Sequence, residues 1–177
     1  MDAAVAVSAL CHKISQQAKE AVRDMETVFA DSACIRAWMR LVRKVSWNFP
    51  GLETEESLAE HERTVLKFMG KKQALCVRSR ETIMGVLLFS RRLNMICFLA
   101  VDPEYPRQGI ASALMQKALE ELDRSRAVTV STFREDDEKG EAPRALYRQF
   151  GFREGELTEE FGYPNQVFAL PPRRTAG

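Results

Sequence analysis

Residues 99–112, Leu99-Ala100-Val101-Asp102-Pro103-Glu104-Tyr105-Pro106-Arg107-Gln108-Gly109-Ile110-Ala111-Ser112, read as a strand end, a loop and the opening turn of a helix. The run Met95–Val101 is apolar and of strand length, and Asp102–Gln108 holds two prolines. From Gly109 onward, Ile110, Leu114, Ala118 and Leu122 recur at i, i+4 spacing, the mark of one helix face. The first amides of a helix lack partners inside it, and the dipole makes that end positive. Gly109 lets an anion come close to the backbone, and the small residues Ala111, Ser112 and Ala113 keep the mouth open. A diphosphate suits such a mouth; a glycine placed only for helix packing is the plainer alternative. Neither GxGxxG nor GxxxxGK followed by Ser or Thr occurs, which weakens the dinucleotide and P-loop readings.

Downstream, Ala127–Phe133 alternates as a strand and Glu135–Glu141 is a charged loop. Pro143 suits the first turn of a further helix, which ends at Gly151. Phe152–Leu157 and Gln166–Leu170 read as final strands, and Pro171–Gly177 as a frayed tail. Upstream, Gln73–Arg78 and Thr82–Ser90 form a hairpin across Ser79-Arg80-Glu81, and Arg91–Asn94 is the next turn. Before residue 70 the spacing is helical. Val7, Leu10, Ile14, Ala18, Ala21, Met25 and Val28 make one long stripe. Ser32 caps a second helix with Ile35, Trp38, Met39, Val42 and Val45 inside and Arg36, Arg40, Arg43 and Lys44 outside. Thr54, followed by Glu55 and Glu56, caps a third that buries Leu58, His61, Val65, Phe68 and Met69 and stops at Gly70.

The second chemistry-bearing stretch is Tyr147-Arg148-Gln149-Phe150-Gly151-Phe152, a tyrosine near a helix end followed by Gly-Phe into a strand. Together and in this order, the two stretches resemble the GNAT superfamily of acyl-CoA-dependent N-acetyltransferases. That pattern has a strand, an Arg/Gln-x-x-Gly-x-Gly/Ala loop, a helix, a strand, and a helix ending in Tyr-x-x-Gly-Phe. The resemblance covers about residues 73–170. It implies an α/β (α+β mixed) fold: a mostly antiparallel central sheet with a parallel, splayed central pair, flanked by helices, with a helical N-terminal third. Departures are Pro106 at the usual Arg/Gln position, with Arg107 one residue later, and no asparagine around Gly140–Ala142. No first strand is obvious either, although residues 1–10 could hold a short one.

The resemblance further implies an enzyme that moves an acetyl group from acetyl-CoA to a primary amine by direct attack on the thioester. Carried over by position, Leu99, Ala100 and Val101 contact the pantetheine arm and acyl group. Arg107, Gln108, Gly109, Ile110, Ala111 and Ser112 cradle the pyrophosphate, Thr129 and Ser131 line the strand gap, and Tyr147 protonates the leaving thiolate. The strand Met95–Val101 carries no carboxylate, so the general base is open among water, Glu55, Glu56, Glu60 and His61. Cys97 could accept an acyl group, with buried packing the better-supported role. Residues 1–70 form the acceptor side, residues 73–170 the acyl-CoA core, and 1–177 a single domain. A non-catalytic acyl-CoA-binding or sensing domain is the alternative function. A helical pairing module built on the 5–28 stripe is a third.

Composition bounds these readings. The chain has 177 residues and 20.1 kDa, 45% hydrophobic and 29% charged residues, and a formal net charge of +1. That is a globular composition with no global field to recruit nucleic acid or an anionic membrane. Cys11, Cys34, Cys76 and Cys97 form no CxxC pair, and His12 and His61 are far apart, so no metal site is expected. The cysteines read as small buried hydrophobes in a reducing compartment. With no leader or spanning stretch in view, the expected setting is cytoplasmic, as monomer or homodimer. The acid-rich loop Arg134–Glu141 could attract a cationic amine or be merely solvated, and the Arg36, Arg40, Arg43, Lys44 face could meet an anion or only water. Phe161–Asn165 is an aromatic loop that either closes over an acceptor or packs as a turn.

Overall fold

The computed structural model describes residues 24–173, together with Gln16. Strands are β1 (Glu26–Phe29), β2 (Ala74–Ser79), β3 (Thr82–Ser90), β4 (Met95–Val101), β5 (Val128–Phe133), β6 (Arg153–Glu160) and β7 (Tyr163–Leu170). Helices are α1 (Ile35–Val45), α2 (Glu55–Gly70), α3 (Ile110–Glu121) and α4 (Glu141–Gln149). The strands form one seven-stranded sheet in the order β1-β2-β3-β4-β5-β7-β6. Only β4 and β5 run parallel; every other neighbouring pair is antiparallel. The α/β fold with a parallel central pair is the expected one.

Alternation along the strands builds a core on each face. Leu75, Val77, Leu87 and Phe89 point to the face covered by α3 and α4, with Leu114, Met115 and Tyr147. Cys76, Val86 and Leu88 point to the other, covered by α1 and α2 through Trp38, Val42, Leu58 and Val65. Thr54 caps α2 as expected: its Oγ1 accepts the Ser57 amide at 3.0 Å while Ser57 Oγ accepts the Thr54 amide at 3.1 Å.

Several expectations need correction. The stripe through Met25 and Val28 does not continue as a helix. Glu26–Phe29 is the first strand, with Phe29 packed against one core and Val28 against the other, and Arg78 Nε donates to Glu26 Oε1 at 2.8 Å across β1 and β2. The stripe from Val7 to Ala21, Cys11, His12 and the short strand proposed for residues 1–10 lie outside the described residues. Asp31, rather than Ser32, supplies the cap, accepting the Ala33 amide at 2.9 Å at a short 3-10 turn before α1. Gly70 is the last residue of α2, and the chain turns at Lys72 with φ 52°. β6 and β7 extend to Glu160 and back to Tyr163, so the aromatic loop is a tight hairpin with Phe161 (φ 52°) and Gly162 (φ 72°) at its tip.

Candidate functional site

The site begins where β4 and β5 part. They pair only at Met95↔Thr129 and Ile96↔Val130. Buried Asn94 pins the closed end: its Nδ2 donates to Asp123 O and Ala127 O, both at 2.9 Å, and its Oδ1 accepts the Asp123 amide at 2.9 Å. Past Ile96 the β5-facing edge of β4 has no strand partner, so its backbone groups face a gap. The cleft entered there has a volume of about 910 Å³.

Leu99, Ala100 and Val101 line the cleft on β4, and Arg107, Gln108, Gly109, Ile110, Ala111 and Ser112 line it at the start of α3. Gly109 caps α3 in the left-handed region at φ 71°, and Arg107 is left-handed too at φ 56°. This backbone presents successive amides with no side-chain cap and no acid in the first turn. Pro106 therefore removes one side chain and one amide, while the helix mouth itself is intact. α3 sits tightly on β3: a Cβ on Gly85 would press into Ile110 Cγ2 and come within 3.1 Å of Leu114 Cδ1.

Tyr147 lines the same cleft and is 4% exposed. Its ring lies 5.8 Å from Phe152 and 5.9 Å from Phe168, and burial pushes its phenol above the ordinary range, keeping it protonated. The end of α4 explains the extra residue between Tyr147 and Gly151. The Phe152 amide bonds Tyr147 O and the Gly151 amide bonds Arg148 O, both at 3.0 Å, with Gly151 at φ 86°. This is a Schellman cap, and it swings Phe152 onto the tyrosine ring.

The other candidates divide. Ser131 lines the cleft; Thr129 sits in the paired part of the sheet and does not. Of the base candidates, only His61 lines it. Its ring is 4.9 Å from Phe98, its Nε2 is buried without a partner among the described residues, and burial lowers its pKa. Glu55 is turned to Arg43, which donates to both its oxygens and holds its carboxyl below the usual range. Glu60 pairs with Arg63. Cys97 is exposed to the cleft, against the expectation of buried packing; Cys34 is half-buried and Cys76 buried. A bulge opposite Leu88 and Phe89 leaves Cys97 unopposed in β4. The cleft walls push its thiol up to about 11, with the Glu160 charge adding to the rise, so it is a weak nucleophile at neutral pH.

Two charged surfaces are used internally. Asp137 of the acidic loop accepts the Lys139 amide at 2.9 Å and the Tyr163 hydroxyl. Lys44 grips Asp102 at 2.7 Å and also Glu104. The sequence did not disclose Arg144 or Glu160. Arg144, 2% exposed, donates to Gln166 Oε1 at 2.8 Å and Phe133 O at 3.2 Å, tying α4 to β5 and β7. Its spacing of three from Tyr147 on α4 was the available signal. Glu160 lines the cleft from the end of an almost wholly polar strand, which carries no signal at all. Among the described residues no group of three or more His, Cys, Asp and Glu is placed to hold a metal ion. None of the described helices is long and apolar enough to cross a membrane.

Residues 70–154 match the family model described as an acetyltransferase (GNAT) domain. An acetyltransferase of the GNAT family from Bacillus cereus superposes with a TM-score of 0.66 at 17% identity, covering 85% of this chain and 99% of that one. The ribosomal-protein-S18-alanine N-acetyltransferase from Escherichia coli gives 0.66 at 19% identity, covering 86% and 96%. The PaiA N-acetyltransferase from Thermoplasma acidophilum, solved in complex with coenzyme A, gives 0.62 at 15%, covering 83% and 98%. Likeness at these identities concerns the fold. No curated protein matches the chain in sequence.

Proposed function

We propose that this chain, which belongs to the GNAT acetyltransferase family, transfers the acetyl group of acetyl-CoA to a primary amine by direct attack on the thioester. The observation that carries the reading is convergence. The unpaired edge of β4, the uncapped amides of α3 and the ring of Tyr147 all line one cleft.

The roles follow from the chemistry of each group. The amides from Arg107 to Ser112 hold the pyrophosphate at the positive end of α3. The exposed edge of Leu99–Val101 holds the pantetheine and offers an amide to the developing oxyanion. His61, kept neutral by burial, takes the proton that an arriving ammonium must lose. The amine lone pair then forms the C–N bond, the C–S bond breaks, and Tyr147 gives its proton to the thiolate. The new C–N nitrogen gives up its remaining extra proton to the Tyr147 phenolate and His61 sheds the ammonium's proton to solvent, leaving CoA thiol, acetylated amine and both side chains as they began.

Calorimetry with acetyl-CoA and thiol-release assays with amines test this. We expect binding, amine-accelerated thiol release, and a drop of ~10²-fold or more in turnover for Tyr147→Phe, the range for a general acid, with acetyl-CoA affinity nearly unchanged. Binding with no acceleration by any amine would favour a sensing domain, and unaltered turnover in the variant would remove Tyr147 from the mechanism.

A further inference from the structure

The other end of the cleft has a chemistry of its own. Among the described residues five large apolar side chains are exposed, and two of them, Trp47 at 73% and Phe161 at 83%, stand on this one cleft. Leaving such rings in water forgoes burial that would stabilise the fold. Deeper in, Phe98 is ringed by Phe49 at 4.7 Å and His61 at 4.9 Å between centroids. These come from separate elements: the α1–α2 connection, α2, β4 and the β6–β7 hairpin tip. The hairpin also reaches across the rim. A Cβ on Gly51 would lie 3.0 Å from Phe161 Cγ, so the ring rests on the backbone of the α1–α2 turn.

Charge completes the picture. Glu160, next to Phe161, is the one carboxylate among the residues lining the cleft, and it has no ion-pair partner among the described residues. Of the cations that line it, Arg107 is at the α3 end, and Lys139 is placed over the Phe133 and Tyr163 rings at 5.9 and 5.6 Å. This lining suits a ligand that is flat and apolar at one side and carries a single positive charge at the other.

Resting on the acyl-transfer reading above, we propose that the acceptor is a small arylalkylamine, its ring held by Phe49, Phe98 and Phe161 and its ammonium met by Glu160. Polyamines carry several charges against one carboxylate and offer no ring. Lysine side chains of proteins offer a charge but no ring for Phe49 and Phe98 to hold.

The test compares 2-phenylethylamine, spermidine and a lysine-containing peptide as acceptors at saturating acetyl-CoA, with acetyl-CoA affinity measured in parallel by calorimetry. We expect kcat/KM for 2-phenylethylamine to exceed that for the other two by at least ~10-fold, the scale on which apolar pockets discriminate. Phe161→Ala and Glu160→Gln should each raise KM for 2-phenylethylamine by roughly 10-fold and leave acetyl-CoA affinity within about twofold, which also shows that the variants are folded. Acetyl-CoA binding with spermidine or the peptide preferred, or with both variants indifferent, overturns this inference and leaves acyl transfer standing. Absence of both acetyl-CoA binding and thiol release overturns the acyl-transfer reading, and this inference falls with it.

Discussion

At the scale of single residues, His61 is the group whose environment says most. On α2 it reads from spacing as one more inward position beside Leu58 and Val65. The structure keeps it half-buried, its ring tilted 55° against that of Phe98, with Nε2 lacking a partner among the described residues. Burial disfavours the charged imidazolium, so its folded pKa lies below the ordinary ~6.5 of the unfolded chain. Between the lowered folded value and ~6.5 the unfolded state binds more protons, so stability rises with pH across that window and is level above it. As the base in acyl transfer, His61 would lose its role over the same acid window. Urea denaturation at pH 5 and pH 7 should show a larger acid loss for the native chain than for His61→Phe, and the acid limb of kcat/KM should flatten in His61→Gln. Matching pH profiles in variant and native chain would take His61 out of both accounts. Tyr147 was legible because its type and its place before Gly-Phe are distinctive. Glu160 was not, because one acid in the run Arg153–Glu160 looks like any other.

At the scale of elements, the seating of α3 decides whether its first turn faces the split in the sheet. Gly85 makes that seating possible. The β2–β3 register shifts between Val77 and Arg78, opposite Gly85, and a side chain there would run into Ile110 Cγ2. Ile110 is β-branched and stiff at χ1, so it has little room to yield. Gly85→Ala should therefore lift the first turn of α3, costing about 1–3 kcal/mol in urea denaturation, as overpacking does, and weakening acetyl-CoA binding in calorimetry. Adding Ile110→Ala removes the clashing methyl. The double variant should then bind better than Gly85→Ala alone, a coupling that a purely additive pair would not show. Elements with strong periodicity, α2, α3, β3 and β4, were legible in the sequence at nearly their observed bounds. β1 was not, since four residues hold no period and Met25 and Val28 happen to sit three apart. The full reach of β6 was hidden for a related reason. An edge strand exposed along Arg153–Glu160 has no apolar face to alternate.

At the scale of the whole molecule, the cleft joins what the sheet otherwise separates. Among the described residues, Ile110 and Tyr147 of the α3–α4 core and Val45 and Leu88 of the α1–α2 core line the one cleft where β4 and β5 part, so a ligand there touches both layers. The parallel pair and its splay were legible only through family resemblance, because no local pattern records which strands leave each other. Lys44 is the tie across this division that no periodicity could disclose. It reads as the wet side of α1, yet its ammonium reaches from α1 to Asp102, 8% exposed at the end of β4, and to Glu104 in the loop that leads to α3. Asp102 Oδ1 also accepts the Glu104 amide at 2.9 Å, so the same carboxylate shapes the loop and anchors it to the opposite layer. Lys44→Met keeps the stem and removes the charge. It leaves the nearly buried Asp102 without its cation, a loss that acts on the loop rather than on either core. The expected outcome is weaker acetyl-CoA binding by calorimetry, about 5–10-fold for a loss near 1 kcal/mol, with the amine KM little changed. At matched acetyl-CoA the variant should also gain less in Tm than the native chain, because ligand stabilisation scales with the ratio of concentration to Kd. If Lys44→Met instead raises the amine KM and spares acetyl-CoA, α1 serves the acceptor side alone and the loop holds its shape without it.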